Sequence, residues 1–281
     1  MDSGHFSLGR QDSLSSGLLR WVDMGAPLLL VAILLCGHAL TCQCTNDVFQ
    51  MEKSSCTWKC MTFALVWPGA FCAGLKKPLE CIIPDAIQSW TIHGLWPMHE
   101  TGCCGCWPIF RSDLEGLEPQ LSRLWPTLVK SRSNMTFWKD EWNKHGTCAA
   151  CVEGLNSPTQ YFQATLKLRG HFDVDRAFMD ASIKPTCNQT YKVADLHAAL
   201  APIAGDRFEI QCQKDKNGRE LLVQLKITMY KNYTLGCDHK QPGPPAHVQT
   251  SWKDSPGHPC PQNSPVYYLP ISHEHPQNPC D

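Results

Sequence analysis

The sequence has no excess of charge of either sign, since 25 lysines and arginines stand against 26 aspartates and glutamates in 281 residues. A chain without a surplus of basic side chains lacks the composition of proteins that hold polyanions mainly by charge. It also lacks an internal repeat and an internal linker rich in glycine or serine. Because 43 % of its residues are hydrophobic, it can bury a sizeable core, and we expect a single folded domain.

Long apolar runs are scarce as well. Residues 27–36 (PLLLVAILLC) form one such run, which is too short to span a bilayer comfortably, and no later segment approaches the required length. Small residues follow it, a pattern typical of a secretory signal and its cleavage site, although a buried helix or membrane anchor is the alternative. Initiation at Met24 would give a more ordinary signal. We expect no membrane span in the mature chain and a protein that is secreted or held in the lysosome or endoplasmic reticulum lumen.

Cysteine, in contrast, is abundant, with 17 in the chain. Such a count indicates a disulfide framework in an oxidising compartment or metal sites in a reducing one, and the signal segment favours disulfides. The spacings Cys103-x₂-Cys106 and Cys148-x₂-Cys151 also match a zinc ribbon, so structural zinc remains the alternative. Three glycosylation acceptors agree with passage through the secretory pathway: Asn134, Asn188 and Asn232.

Hydrophobic patterning predicts both helices and strands. We expect strands at 61–68, 90–96 and 264–270, and a hairpin from 207–215 and 219–230 with its turn at 216–218. We expect helices within 114–128 (interrupted by Pro119 and Pro126), at 136–146 with a stop at Gly146, and at 158–172 and 192–203. This order predicts an α+β fold, a single disulfide-stapled domain whose central antiparallel or mixed β-sheet is packed with several helices.

The predicted helix at 136–146 carries chemically versatile side chains. Glu141 and His145 would lie one turn apart, with Lys144 three residues from Glu141. A solvated Glu–Lys pair beside an incidental histidine is the plain interpretation of such a trio. A metal site would need further ligands, and the Glu-x₃-His pair lacks the second histidine of an H-E-x-x-H site.

A second histidine, His93, lies on a predicted strand, where a lone histidine is usually a satisfied core or surface residue. Two histidines with a glutamate and a lysine are nevertheless the minimum set for cleaving RNA at its own 2′-hydroxyl. One imidazole takes the hydroxyl proton, the other protonates the leaving 5′-oxygen, and a cation stabilises the charge on phosphorus. That reaction needs no metal, no cofactor and no protein nucleophile, because the substrate supplies the nucleophile.

Two segments carry a family resemblance: 89–97 (SWTIHGLWP) and 137–148 (FWKDEWNKHGTC) resemble the active-site segments of the ribonuclease T2 family, in the same order. The likeness extends roughly from Trp58 to Pro270. It implies an endoribonuclease in which His145 is the general base and His93 the general acid. Glu141 and Lys144 would then stabilise the transition state.

The resemblance also implies a base-binding pocket, with Trp96 stacking on a base and Trp107 lining the same pocket. Stacking suits single-stranded RNA, which we expect to be the partner. We also expect the protein to be a monomer. The products would be 2′,3′-cyclic phosphates, opened later to 3′-phosphates. The implied domains are a lead and signal peptide (1–41), a cysteine-containing segment (42–57), the ribonuclease catalytic domain (58–270) and a Pro/His-rich tail (271–281).

Some positions depart from the family pattern. Asp140 stands where relatives often have a phosphate-contacting histidine, and Met98 where they often have an acidic residue. Leu65 and Val66 replace a Gln-His pair of animal relatives. We expect catalysis to persist with an altered base preference. The alternative is a catalytically weakened secreted binding protein on the same fold.

Disulfide pairs are implied by the resemblance as well. They are Cys72–Cys81, Cys212–Cys260, and Cys148 with Cys103 or its neighbour Cys104. Cys237 resembles half of a further pair, but Thr228 stands at the position of its partner. The connectivity of the remaining cysteines stays open.

Overall fold

A computed structural model of the chain describes residues 56–238 and 257–281. The predicted signal segment, Met24 and the cysteine-containing segment up to residue 55 lie outside the described residues. The described residues belong to one compact unit, and none of their helices is long and apolar enough to cross a membrane. They form a sheet packed with helices, so the predicted α+β class is confirmed.

The sheet is built around β1, whose seven residues (CMTFALV) are all buried. A continuous apolar run of this kind indicates a strand covered on both faces, and β1 lies inside the order β2-β1-β5-β4-β6. Strand β7 pairs with β5 in parallel and with β3 antiparallel, which makes the sheet mixed. The strands are β1 (Cys60–Val66), β2 (Thr91–Pro97), β3 (Thr190–Tyr191), β4 (Phe208–Lys214), β5 (Glu220–Tyr230), β6 (His258–Pro259) and β7 (Val266–Tyr267).

The predicted hairpin is confirmed as β4 and β5, which pair antiparallel. Its turn contains Gly218 at a φ of 76°, a left-handed conformation that glycine adopts without steric cost. The predicted strands at 61–68, 90–96 and 264–270 are confirmed as β1, β2 and the shorter β7.

The helices pack against this sheet. The predicted helices at 158–172 and 192–203 are confirmed, whereas the interruption expected at Pro119 is wrong. Pro119 lies in the first turn of α2, where a missing N–H costs nothing. The helices are α1 (Pro68–Ala73), α2 (Glu118–Leu124), α3 (Asn134–Glu141), α4 (Pro158–His171), α5 (Val174–Asp180) and α6 (Val193–Ala204).

Helix α3 continues into two further segments, a π-helical turn at Trp142–Gly146 and an α-helical turn at Thr147–Ala149. We call residues 134–149 the site helix. The stop expected at Gly146 is therefore wrong, since Gly146 keeps helical angles of φ −60° and ψ −42°. A Cβ at this position would lie 2.2 Å from the ring of Trp142, so the glycine makes room for an indole.

Buried tryptophans fix the site helix against β2. The indole N–H of Trp138, on the helix, donates to the carbonyl of Trp125 at 2.8 Å. Trp125 in turn donates its own indole N–H to the carbonyl of His93 at 2.8 Å. Buried indoles normally find such acceptors, and here the two bonds in series position the helix relative to the strand.

Disulfide bonds staple the domain. All fourteen cysteines among the described residues are disulfide-bonded, including Cys106, Cys148 and Cys151, so the thiolates required by the zinc alternative are oxidised. Cys237 pairs with Cys60, a partner that the resemblance did not supply. The pairs within the described residues, three of which the resemblance implies, are Cys56–Cys151, Cys60–Cys237, Cys72–Cys81, Cys103–Cys148, Cys187–Cys280 and Cys212–Cys260.

Bridge length gives a test of how the disulfides stabilise the fold. Cys103–Cys148 spans a sequence separation of 45 residues and Cys72–Cys81 spans 9. Because loop-closure entropy grows with length, removing the long bridge by double alanine substitution should lower the free energy of unfolding by roughly 4 kcal/mol, against roughly 3 for the short one. Chemical denaturation of both variants measures the difference. A larger loss for the short bridge would contradict the chain-entropy explanation.

Candidate active site

A β-bulge delivers His93 to the site. In the pairing of β2 with β1, Gly94 lies opposite Ala64 and Ile92 lies opposite Leu65, so His93 has no residue across from it. Bulges of this kind bend a strand and re-aim a side chain, and they are common beside active sites. The two residues on each side of it are buried, whereas His93 is half-buried.

The imidazole of His93 is held by a buried glutamine. Its Nδ1 lies 2.6 Å from Oε1 of Gln224, which is fully buried on β5. Burial lowers the pKa of His93 to about 4, because the hydrogen bond to Gln224 offsets only part of the desolvation cost. The charges of Lys226, Arg132 and Lys144 lower the pKa further.

Burial shifts the pKa of Glu141, at the end of α3, in the opposite direction. Its side chain is 6 % exposed and accepts a hydrogen bond from the indole N–H of Trp96 at 2.9 Å. Burial raises the pKa of Glu141 to about 8, against the lowering effect of Trp96, Lys144 and Arg132. Below that pH the group is a neutral acid, which can donate a hydrogen bond as well as accept one.

The indole of Trp96 brings three of the four predicted catalytic residues together. Its ring centroid lies 5.0 Å from the ring of His93, edge to face, and 5.3 Å from the ring of His145. The same indole donates to Glu141, so both imidazoles and the carboxyl group surround one side chain. Gly94 makes this possible, since a Cβ there would lie 2.1 Å from Nε1 of Trp96 and 2.2 Å from Oε2 of Glu141.

Lys144 and His145 lie on the π-helical turn of the site helix, and both are half-buried. Such turns are rare and frequent at functional sites. The loop after β2 closes on this turn: the backbone N–H of Gly102 donates to the carbonyl of Lys144 at 2.8 Å, and Cys103 is bonded to Cys148. The bridge therefore ties the site helix to the loop that follows the strand of His93.

Two further cations, which sequence reasoning missed, lie at the site. Nζ of Lys226 lies 5.9 Å from the ring centroid of Trp96. The guanidinium of Arg132 lies 5.0 Å from the ring of Phe137, which is itself 6.2 Å from the ring of His93. The alternation of side chains along β5 was the available signal for Lys226. Lys226 and Gln224 are two residues apart, so Lys226 points to the same face of the sheet as the glutamine that holds His93.

The departures from the family pattern fall in different places. Asp140 forms an ion pair with Arg132. Leu65 is fully buried in the core opposite Ile92. Met98 is half-buried just beyond β2, where its backbone N–H donates to the carbonyl of Cys60.

Trp107, predicted to line a base pocket, packs edge-on against Trp142 with ring centroids 5.0 Å apart. Its carbonyl accepts the indole N–H of Trp142 at 2.9 Å. It is half-buried and therefore contacts the π-helical turn while keeping part of its surface exposed.

Comparison with known proteins identifies the family of the chain. Residues 58–238 match the model of the Ribonuclease T2 family. The chain is similar to Ribonuclease Oy of Magallana gigas (32 % identical, covering 76 % of this chain and 97 % of that one) and to Ribonuclease T2 of Homo sapiens (32 %, 87 % and 97 %). The crystal structure of human RNase T2 superposes with a TM-score of 0.62, covering 76 % of this chain and 99 % of that one. The matched residues contain both histidine-bearing segments of the site, and the chain belongs to the ribonuclease T2 family of endoribonucleases.

Proposed function

We propose that the protein is a monomeric, metal-independent endoribonuclease that cleaves single-stranded RNA by transphosphorylation. The 2′-hydroxyl oxygen attacks the adjacent phosphorus, the bond to the 5′-oxygen breaks, and a 2′,3′-cyclic phosphate forms, which water later opens to a 3′-phosphate. The observation that supports this most directly is the contact of His93 and His145 with one indole, that of Trp96. Two imidazoles on one ring can address two oxygens of one phosphodiester.

The histidines divide the proton transfers between them. His145 takes the proton of the 2′-hydroxyl, and His93 gives a proton to the leaving 5′-oxygen. Because Nδ1 of His93 is bonded to Gln224, Nε2 is the atom that donates. A bound phosphate is an anion beside this imidazole, so it favours the protonated form that the acid role requires.

Lys144 and Glu141 stabilise the negative charge that develops on the phosphoryl oxygens. With its pKa raised to about 8, Glu141 carries a proton in acidic and neutral solution and can donate it in a hydrogen bond to a phosphoryl oxygen. Trp96 is half-buried, so part of its surface is available for the proposed stacking on a base.

The alternative of a weakened binding protein was motivated by Asp140, Met98 and Leu65, of which Asp140 would repel phosphate through its charge. Its ion pair with Arg132 offsets that charge, which favours the enzyme over the alternative.

The proposed location is the secretory pathway, with export or lysosomal delivery. The fully oxidised cysteines among the described residues support it. Of the proposed glycosylation acceptors, Asn188 and Asn232 are exposed, and Asn134 is half-buried with its side-chain oxygen accepting the N–H of Thr127.

Removing the general base tests the mechanism. We expect His145→Ala to lower cleavage of single-stranded RNA by about 10²- to 10⁴-fold, because no other side chain would take the 2′-hydroxyl proton. A matched control is His197→Ala, whose ring stacks on Phe208 in the core contact of α6 and should leave activity unchanged. Digestion in EDTA followed by end-group analysis measures rate and product together. Equal activity of His145→Ala and wild type would sink the assignment.

The pKa of His93 sets the expected pH dependence. The acid must be protonated, and its pKa is lowered to about 4, so kcat/KM should fall as the pH rises above that value in the free enzyme. Deprotonation of Glu141 should deepen the fall near pH 8. A pH–rate profile from pH 3 to 9 checks this, and kcat/KM that rises steadily above pH 8 would be incompatible with it.

Gly94 tests the packing around Trp96. In Gly94→Ala the new Cβ would collide with the indole Nε1 and with the Glu141 carboxyl, so their hydrogen bond must break. We expect RNA cleavage to fall at least tenfold, since misplacing catalytic groups by about 1 Å costs on the order of 10²-fold. Gly116→Ala is the matched control, because nothing lies within 4 Å of its Cβ. Unchanged cleavage in Gly94→Ala would show that the bond is dispensable.

A further inference from the structure

A chain of polar side chains crosses the sheet behind His93. Gln224 on β5 is bonded to His93, and its Nε2 donates to Oε1 of Gln211 on β4 at 3.2 Å. Nε2 of Gln211 then donates to Oε2 of Glu209 at 3.2 Å. Gln224 and Gln211 are 0 % and 5 % exposed, whereas Glu209 is exposed. Two buried amides thus connect the imidazole to a carboxylate at the surface.

The carboxylate of Glu209, at the end of this series of side chains, fixes the direction of every hydrogen bond in it. An ionised carboxylate only accepts, so Gln211 must turn its amide nitrogen toward Glu209 and its oxygen toward Gln224. Gln224 must then donate to Gln211, which leaves its own oxygen facing His93. The imidazole nitrogen opposite that oxygen, Nδ1, must carry the hydrogen. A reversed Gln224 would set two oxygens against each other in a buried place, which is costly.

Strands β2 and β5 each have a bulge beside this series of hydrogen bonds. His93 is the bulged residue of β2. On β5, Gln224 lies opposite Gln211 while Leu222 lies opposite Cys212, so Val223 is skipped next to Gln224. Two bulges at one hydrogen bond indicate that the backbone is shaped to place this pair of side chains.

We propose that Gln224 is a positioning residue, which holds His93 in its Nδ1–H form and turns Nε2 toward the leaving oxygen of the substrate. The proposal rests on the acid role proposed for His93. Gln224 touches no substrate and acts through the imidazole alone, as the carboxylate partner of a catalytic histidine does in other enzymes. An amide, unlike a carboxylate, orients the ring without adding a negative charge that would stabilise the protonated form.

Other titratable groups also lie around this imidazole. The charges of Lys226 on β5, Arg132 before the site helix and Lys144 on its π-helical turn lower its pKa. Glu141 and His145 lie across Trp96. All of them are retained in variants of Gln224, so a difference between such variants reports the group at position 224.

Two substitutions at Gln224 separate orientation from charge. In Gln224→Leu, of similar volume, Nδ1 loses its acceptor. We expect kcat to fall about 10- to 100-fold with KM within about twofold, and the alkaline limb of kcat/KM to move to lower pH. In Gln224→Glu, the carboxylate accepts the same hydrogen and stabilises the imidazolium. The limb should then move about 1 unit or more to higher pH.

Nitrogen-15 NMR of the histidines at neutral pH gives a readout that does not depend on catalysis. The resonances of His93, assigned by their loss in His93→Ala, should report the Nδ1–H tautomer in wild type and a shift toward Nε2–H in Gln224→Leu. Gln213→Leu is the matched control: this glutamine on β4 donates to the carbonyl of Phe71, so its loss should lower stability and leave tautomer and pH profile unchanged.

The possible failures are distinguishable. Wild-type activity in His93→Ala would overturn the acid role and with it the proposed mechanism. An unchanged tautomer in Gln224→Leu, or pH limbs that move together in the two Gln224 variants, would overturn the positioning role alone. If Gln224→Leu does not fold, the Nε2–H tautomer in the wild-type spectrum would by itself refute the proposal.

Discussion

The hydrogen bond from the indole of Trp96 to Glu141 is the contact on which the site depends. It joins β2 to the end of α3, so it sets the distance between the strand that carries His93 and the turn that carries His145. It also fixes the plane of the ring that both imidazoles contact. The tryptophans beneath it and the disulfide beside it hold the same two elements together from other sides. The glycine at position 94 is the steric condition for the bond.

Burial gives the site its proton chemistry. Desolvation disfavours the charged form of each group, so it raises the pKa of Glu141 to about 8 and lowers that of His93 to about 4. In the free protein both groups are therefore neutral near pH 7. In the proposed mechanism an entering phosphate shifts the balance at His93, because the anion favours the imidazolium. Substrate binding and protonation of the proposed acid would then be linked.

Much of this could be predicted from the sequence, because the signals were local. Periodicity located β1, β2, α4, α6 and the hairpin, and two motifs named His93, Glu141, Lys144 and His145. The errors came from side-chain contacts that the sequence pattern does not reveal. Gly146 looked like a helix stop, but it leaves space for an indole within a continuing helix. Likewise, the partner of Cys237 is Cys60 on β1, and only the fold shows that these two cysteines lie together.

The charge of the site illustrates the same limit. A composition with nearly equal numbers of acidic and basic residues does not by itself indicate a polyanion partner, yet Lys226, Arg132 and Lys144 all act on His93. They come from β5, from the segment before α3 and from the π-helical turn, so no linear pattern unites them. Cations gathered in a partly buried site act on a phosphate far more strongly than the same charges spread over the surface. Asp140 fits this arrangement because it pairs with Arg132, which shows why a substitution cannot be judged at its own position alone.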